Sequence, residues 1–165
     1  MRVTIATQRA NRRHRRAQPS VPGASVGKFH CMPSDAARVP ASPYDLLGGD
    51  AGIRSIVDRF YDLMDSAPEA ATIRRLHAAS LKASREKLYL YLMGWTGGPP
   101  VYVQQRGHPR LRARHLPFSI GAIERDEWIW CMDRSLDEHE MPDWLRADLK
   151  EKLHALADHM RNRVD

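Results

Sequence analysis

The chain has 165 residues, enough for one domain with a hydrophobic core, and 28% of them are charged and 42% hydrophobic. No apolar run reaches the roughly 18 residues that a membrane-spanning helix needs. The two cysteines, Cys31 and Cys131, form neither a CxxC pair nor a disulfide framework. These features argue against a membrane protein and against a disulfide-stabilised secreted domain, and we expect a cytoplasmic protein.

The positive charge is concentrated at the N-terminus. Residues 1–42 contain eight Lys/Arg and one Asp, whereas the rest of the chain contains 18 Lys/Arg and 19 Asp/Glu. The net charge of +6 therefore does not belong to the folded domain. For that domain we expect neither specific nucleic-acid binding nor a membrane partner.

Residues 1–41 lack sustained hydrophobic periodicity and are rich in Arg, Pro, Ser and Ala, so we predict a disordered basic leader. Three explanations of it remain open. We favour an uninvolved extension or a mis-assigned start upstream of Met32. The others are a transit peptide, which is also Arg-rich and acid-poor, and a tether for nucleic acid or acidic lipid through residues 12–16.

Helical signals begin at residues 42–45, where Ser-Pro-Tyr-Asp matches an N-cap, a proline at the first helical position and an acid in the first turn. The Gly-Gly pair at 48–49 ends this short helix. A longer helix is predicted next, because one face carries apolar residues at helical spacing, namely Ile53, Ile56, Val57, Phe60, Tyr61 and Met64. Pro68 ends it, and a short helical turn leads to His77.

A third helix is predicted over about residues 80–95 and stops at the Gly-Gly-Pro-Pro sequence of 97–100. Residues 101–114 predict a loop with one helical turn. A fourth helix covers about residues 119–136, and a fifth starts at Pro142. The inward face of the fourth helix is predicted to hold Ile120, Ile123, Trp128 (or Glu127 by strict spacing), Cys131 and Met132. That of the fifth is predicted to hold Leu145, Leu149, Leu153, Leu156 and Met160. No segment alternates like a strand, so the predicted fold class is all-α.

The eight histidines invite a search for metal ligands. A zinc-protease helix is not indicated, because His139-Glu140 is followed by Met-Pro. His154 and His159 are five residues apart and do not share one helix face. The sequence also contains no Gly-rich phosphate loop, nucleophile elbow or Cys/His catalytic pair.

One segment does match a metal-binding pattern. Residues 106–118 place His108 and His115 in a cationic stretch that closes in an apolar Leu-Pro-Phe corner. A neutral imidazole beside such a corner suits an axial position on haem iron, provided that a partner orients its other ring nitrogen. Taken alone, His115 is more simply explained as a packed core histidine, and Trp128 and Tyr61 as core aromatic residues.

In combination and in order, these residues resemble the truncated haemoglobins, specifically their second group, from about Tyr44 to the C-terminus. The resemblance is carried by the motifs Tyr44–Gly49, Arg59–Tyr61, Gly97–Pro99, Gln105–Pro109, Arg114–Phe118 and Ile123–Trp128. It implies a truncated globin fold, a 2-over-2 helical sandwich, over residues 42–165. It also implies a haem b cofactor, iron protoporphyrin IX.

The resemblance assigns roles to individual residues. The family's proximal haem ligand falls on His115, its distal tryptophan on Trp128 and its distal tyrosine on Tyr61, and His77 takes a second polar distal position. Further cofactor-binding positions fall on Lys87, Leu88, Tyr91, Arg114 and Phe118. Each distal hydrogen-bond donor would stabilise bound O2 by roughly 1–3 kcal/mol.

Three functions remain open. A five-coordinate haem would bind O2, CO, NO or similar ligands, and slow O2 release would suit NO- or peroxide-detoxifying chemistry with an unidentified reductase. The second hypothesis is a haem-based sensor or electron-transfer protein with His77 as a sixth ligand. The third is a cofactor-free helical interaction module. The sequence does not give the oligomeric state: Trp130 and Trp144 are candidates either for the contact of a homodimer or for the core.

Overall fold

A computed structural model describes residues 40–164 of the chain. In this part a 3-10 turn, Pro68–Ala70, accompanies the helices α1 Pro43–Leu46, α2 Gly49–Ser66, α3 Ala71–Arg75, α4 Lys82–Trp95, α5 Val101–Arg106, α6 Leu111–His115, α7 Ala122–Asp137 and α8 Asp143–Met160. No strand occurs among these residues, which confirms the predicted all-α fold class. None of their helices is long and apolar enough to cross a membrane. The predicted leader, apart from its last two positions, lies outside the described residues.

The predicted capping signals are present at the start of the domain. The Asp45 N–H donates to Ser42 Oγ at 3.2 Å, and the Ser42 N–H donates to the Asp45 carboxylate at 3.0 Å. Together these bonds form a capping box that satisfies two backbone donors of α1. Gly48 then adopts a φ of +87°, a left-handed conformation that costs glycine little and lets the chain turn into α2.

The core lies between two pairs of long helices. α2 packs against both α4 and α7, and α7 packs against α8. The stripe predicted for α2 is buried throughout, at Ile53, Ile56, Val57, Phe60, Tyr61 and Met64. Burying one large apolar side chain contributes about 1.5–3 kcal/mol, so this stripe is a major source of the fold's stability.

The segment predicted as a loop with one turn contains two short helices, α5 and α6. α5 buries Tyr102, which is 6% exposed, and ends at Gly107 with a φ of +70°. α6 has no buried residue. One buried aromatic residue in six gives no periodic pattern, which explains why the sequence did not reveal these helices.

The fourth predicted helix also differs at its start. It begins at Ala122 rather than near residue 119, because Gly121 is the N-cap: its backbone is extended and its N–H donates to the Glu124 carboxylate at 2.8 Å. The prediction that Ile123 faces inward is wrong, since this side chain is 63% exposed. At 100° per residue it lies opposite Met132, which is fully buried.

Candidate functional site

A cavity of about 730 Å³ lies among the long helices, α3 and α6. Its volume falls within the range of about 300–1,000 Å³ that is typical of small-molecule and cofactor sites. The walls are mostly apolar. The lining side chains are Tyr61, Ile73, Leu76, His77, Ala78, Ser80, Ala83, Ser84, Lys87, Leu88, Tyr91, Tyr102, Leu111, Arg114, His115, Pro117, Phe118, Ile120, Glu124, Arg125, Trp128, Leu156, Ala157 and Met160.

All the site residues named from the sequence line this one cavity. They are Tyr61, His77, Lys87, Leu88, Tyr91, Arg114, His115, Phe118 and Trp128. They come from α2, α4, α6, α7 and the turns after α3 and α6, so only the folded chain brings them together. The site residues named from the sequence therefore lie together around one cavity in the folded chain.

His115 is the last residue of α6 and is half-buried. Its Nδ1 lies 2.7 Å from the carbonyl oxygen of Leu111, one helical turn earlier. Because a carbonyl oxygen only accepts, Nδ1 carries the proton of the neutral ring, and Nε2 keeps its lone pair. An outer hydrogen bond of this kind is what orients a metal-ligating histidine.

His77 repeats this arrangement in the turn after α3. Its Nδ1 lies 3.0 Å from the carbonyl oxygen of Ile73, again four residues earlier. Burial lowers the pKa of His77, the hydrogen bond to Ile73 raises it, and the charges of Arg74 and His115 lower it. The neutral ring therefore offers Nε2 as an acceptor, and it lacks the free N–H that a donor to a ligand would need.

Tyr61 supplies a hydroxyl from the end of α2's buried stripe. The side chain is 5% exposed, and its ring meets the edge of His77 with centroids 6.0 Å apart. Burial raises the pKa of Tyr61 well above its ordinary value, although a hydrogen bond with Ser84 and the charge of Arg85 lower it. The phenol therefore keeps its proton at neutral pH and remains a donor.

Trp128 lines the cavity from α7 and is packed against the core. Its ring centroid lies 5.3 Å from that of Phe60, which is fully buried. The indole N–H can only donate. One side of the cavity thus presents two polar donors, Tyr61 and Trp128, on side chains that apolar packing holds in position.

Glu127 adds a link that the sequence did not reveal. Its carboxylate accepts a hydrogen bond from the Ile73 N–H at 2.6 Å, and the carbonyl of the same Ile73 accepts from His77. One peptide segment therefore connects His77 to the residue before Trp128. Strict helical spacing placed Glu127 on the inward face of this helix, but it did not indicate the partner of its carboxylate, which lies 54 positions away.

Basic side chains outnumber acidic ones in the cavity lining, with Lys87, Arg114 and Arg125 against Glu124. Between Glu86 and Glu124 the sequence contains no Asp or Glu and five Lys/Arg. These five cations, which we call the basic arc, are Lys87, Arg106, Arg110, Arg112 and Arg114, and all are exposed. Lys87 and Arg114 line the cavity itself.

Several lining residues were not predicted as part of the site. Tyr102 of α5 stands at right angles to Tyr91, with ring centroids 6.3 Å apart. Leu156 and Met160 of α8 close another wall, and both belong to the apolar stripe predicted for the fifth helix. That stripe was a usable signal, whereas the burial of Tyr102 depends on the position of the short helix α5.

Comparison with known proteins matches this chain to a family. The model of the family described as "Bacterial-like globin" matches residues 42–162. The Group 2 truncated hemoglobin YjbI of Bacillus subtilis (strain 168) is 33% identical over 124 residues, which cover 75% of this chain and 91% of that protein.

Solved structures agree with the sequence relatives. The Group II 2-on-2 hemoglobin of Agrobacterium tumefaciens is 45% identical, with a TM-score of 0.75 over 78% of this chain and 99% of the other. The cold-adapted truncated hemoglobin of Pseudoalteromonas haloplanktis TAC125 is 40% identical, with a TM-score of 0.74 over 75% of this chain and 100% of the other.

The chain belongs to the bacterial-like globin family. Within that family it is a group II truncated haemoglobin with the 2-on-2 fold, as its resemblance implied. The family implies a haem cofactor and the binding of small diatomic ligands. The cavity fits such a group, because it combines mostly apolar walls, an imidazole that a backbone carbonyl orients, and the cations Lys87 and Arg114.

Proposed function

We propose that this chain holds haem b in the cavity, with His115 as the axial ligand, and binds O2, CO or NO on the opposite side. The observation that carries the proposal is the His115 ring, which lines the cavity with Nδ1 bonded to Leu111 and Nε2 free. When bound, haem supplies an iron with an open coordination position for a diatomic ligand.

The chain's own residues provide the rest of the binding site. Leu88, Tyr91 and Phe118 offer apolar contact to the macrocycle. Lys87 and Arg114, exposed at the entrance, are suited to pair with its two carboxylates. Salt screening weakens exposed pairs, so we expect apolar contact and the His115 ligand to dominate affinity for the cofactor.

The opposite wall governs how long a ligand stays. Trp128 and Tyr61 present an indole N–H and a protonated hydroxyl to the cavity, and each hydrogen bond to a charged acceptor is worth about 1.5–3 kcal/mol. At about 1.4 kcal/mol per decade, one such donor slows ligand release by roughly 10- to 150-fold. His77 holds its Nδ1 proton on the Ile73 carbonyl, so its neutral ring offers only an acceptor at Nε2 and is not suited to donate to the ligand.

Slow O2 release favours reaction of the bound ligand over its delivery. Oxidation of NO to nitrate by bound O2 leaves the protein one electron short after each turnover, so an unidentified reductase must return that electron. Reduction of H2O2 to two water molecules consumes two electrons and two protons, and an electron donor must supply those electrons. Two residues of the basic arc, Lys87 and Arg114, line the cavity, and its five exposed cations would attract an acidic reductase electrostatically. We therefore propose NO- or peroxide-detoxifying activity in the cytoplasm.

A second function, sensing or electron transfer, is favoured by the equivalence of the two histidines. Both His77 and His115 line the same cavity, and both hold Nδ1 on the carbonyl four residues earlier, leaving Nε2 free. If His77 took the second axial position, the site would be closed to external ligands.

An absorption spectrum of the haem-loaded, dithionite-reduced protein, before and after CO is added, separates these functions. We expect a five-coordinate ferrous spectrum that changes to a histidine–CO spectrum. A six-coordinate low-spin ferrous spectrum without CO would favour the second function. No haem absorption, even after haem is supplied, would contradict both and favour a cofactor-free helical module.

A further inference from the structure

The turn that carries His115 has little apolar anchoring of its own. α6 contains no buried residue, and Leu116 and Phe118 are 58% and 45% exposed. A single-turn helix without packing is marginal in water. Within the chain itself, polar contacts rather than apolar burial must therefore hold His115 against the cavity.

Asn162, in the segment after α8, contacts this turn through every polar group of its side chain. Its Nδ2 donates to the carbonyl oxygens of His115 at 3.1 Å and Phe118 at 2.8 Å. Its Oδ1 accepts from the Ile120 N–H at 3.0 Å. The Asn162 N–H also donates to the Ile120 carbonyl at 2.9 Å.

Neighbouring contacts reinforce this connection. The Arg163 N–H donates to the Ile120 carbonyl at 3.1 Å. Arg112 of α6 donates to the carbonyl oxygens of His159 and Arg161, the latter at 3.1 Å. The end of α8 is itself fixed, because Met160 is 8% exposed and lines the cavity.

We infer that Asn162 is a positioning residue for the axial ligand: it fixes residues 115–120 to the end of α8 and thereby sets the position of His115. This inference rests on the proposed role of His115. Asparagine suits the position because one short side chain donates two hydrogen bonds and accepts one. Outer-shell partners of metal ligands commonly change metal affinity by 10- to 100-fold when they are removed.

The test uses the full-length, haem-loaded protein and the variants Asn162→Ala and Asn162→Asp. Asp keeps an acceptor for Ile120 but loses both donors to the carbonyls. Arg163→Ala is the matched control, because its backbone N–H still reaches Ile120. Two quantities are measured: the rate of haem transfer to an excess of apomyoglobin, and the iron–histidine stretching band of the ferrous protein in resonance Raman spectra.

We expect both Asn162 variants to release haem about 10-fold faster or more and to shift or broaden the iron–histidine band. Arg163→Ala should match the wild type in both measurements. A merely structural role would lower the melting temperature without moving the band. An unchanged band, with release rates within twofold of the wild type, would overturn the inference.

One measurement on the wild-type chain is independent of whether the variants fold. In the CO-bound protein, the Ile120 amide should exchange with solvent at least 10-fold more slowly than the exposed amide of Ser119. Equal exchange rates would overturn the inference. Failure of the wild type to take up haem would instead contradict the proposed function, so the two failures are distinguishable.

Discussion

The two histidines of the cavity have the same local geometry but different support. In each, Nδ1 bonds the carbonyl four residues earlier, at 3.0 Å for His77 and 2.7 Å for His115. The side of the cavity that carries His77, which we call the distal wall, is supported by the buried core residues Ile73, Tyr61 and Phe60. The side that carries His115, residues 111–118, is mostly exposed, and we call it the proximal turn.

This difference separates two ways of fixing a functional side chain. Apolar packing fixes the distal wall, with Phe60 at 0% exposure and in contact with Trp128. Polar contacts between distant segments fix the proximal turn, above all those of Asn162. Substitutions should therefore affect the distal wall through global stability and the proximal turn through cofactor retention.

The largest effect on stability should come from Phe60→Ala, since it leaves a cavity in the core below the distal wall. We expect a loss of about 3–5 kcal/mol in the free energy of unfolding of the haem-free protein, measured with urea. Phe118→Ala, in the exposed proximal turn, is the control and should cost less than about 1 kcal/mol. Similar losses for the two variants would contradict the comparison.

Removing the indole donor by Trp128→Phe should come next in size. The loss of about 1.5–3 kcal/mol of ligand stabilisation would raise the O2 dissociation rate by roughly 10- to 150-fold in stopped-flow measurements. Trp144→Phe is the matched control, because Trp144 is 63% exposed and does not line the cavity. An O2 dissociation rate that is the same in both variants would exclude Trp128 as a donor.

Alkaline pH should lower the stability of the folded chain, which buries Tyr61 and Cys131. Burial raises the pKa of Tyr61 above its ordinary value and raises the pKa of Cys131 to about 12. As pH rises, the unfolded chain therefore loses these protons before the folded chain does. The free energy of unfolding falls as pH rises above about 9, which is the ordinary pKa of a cysteine thiol.

The contribution of Tyr61 can be measured separately. At pH ~10.5 each raised group should cost on the order of 1 kcal/mol, so Tyr61→Phe should lose about 1 kcal/mol less than the wild type between pH ~8 and ~10.5. Urea unfolding at the two pH values gives this difference. Parallel losses in the two proteins would show that the Tyr61 hydroxyl is not buried as described.

The smallest effect concerns the basic arc beside the proximal turn. The double variant Arg106→Ala/Arg110→Ala should slow reduction of the ferric protein by an acidic ferredoxin about threefold at low salt, with the difference lost near 1 M salt. Lys150→Ala/Lys152→Ala on α8 changes the net charge equally and is the control. Equal slowing by both pairs would point to net charge rather than to a docking surface.

The sequence predicted the distal wall better than the proximal turn for a physical reason. Ile53, Phe60 and Met64 lie at helical spacing, and such a stripe is buried whichever helix covers it. His115 was identified by its apolar corner and by resemblance. Helical spacing placed Glu127 inward without indicating its partner, and Asn162 gave no signal, since a single polar residue indicates nothing about a partner 42 or 54 positions away.

The central claim is that His115 is the axial ligand and His77 is not. The most direct test is the reduced-plus-CO absorption spectrum of His115→Gly and His77→Gly, each with and without free imidazole. We predict that His115→Gly loses the histidine–CO spectrum and regains it when imidazole enters the vacated space, whereas His77→Gly keeps the spectrum throughout. A His115→Gly protein with an unchanged spectrum in the absence of imidazole would contradict the account.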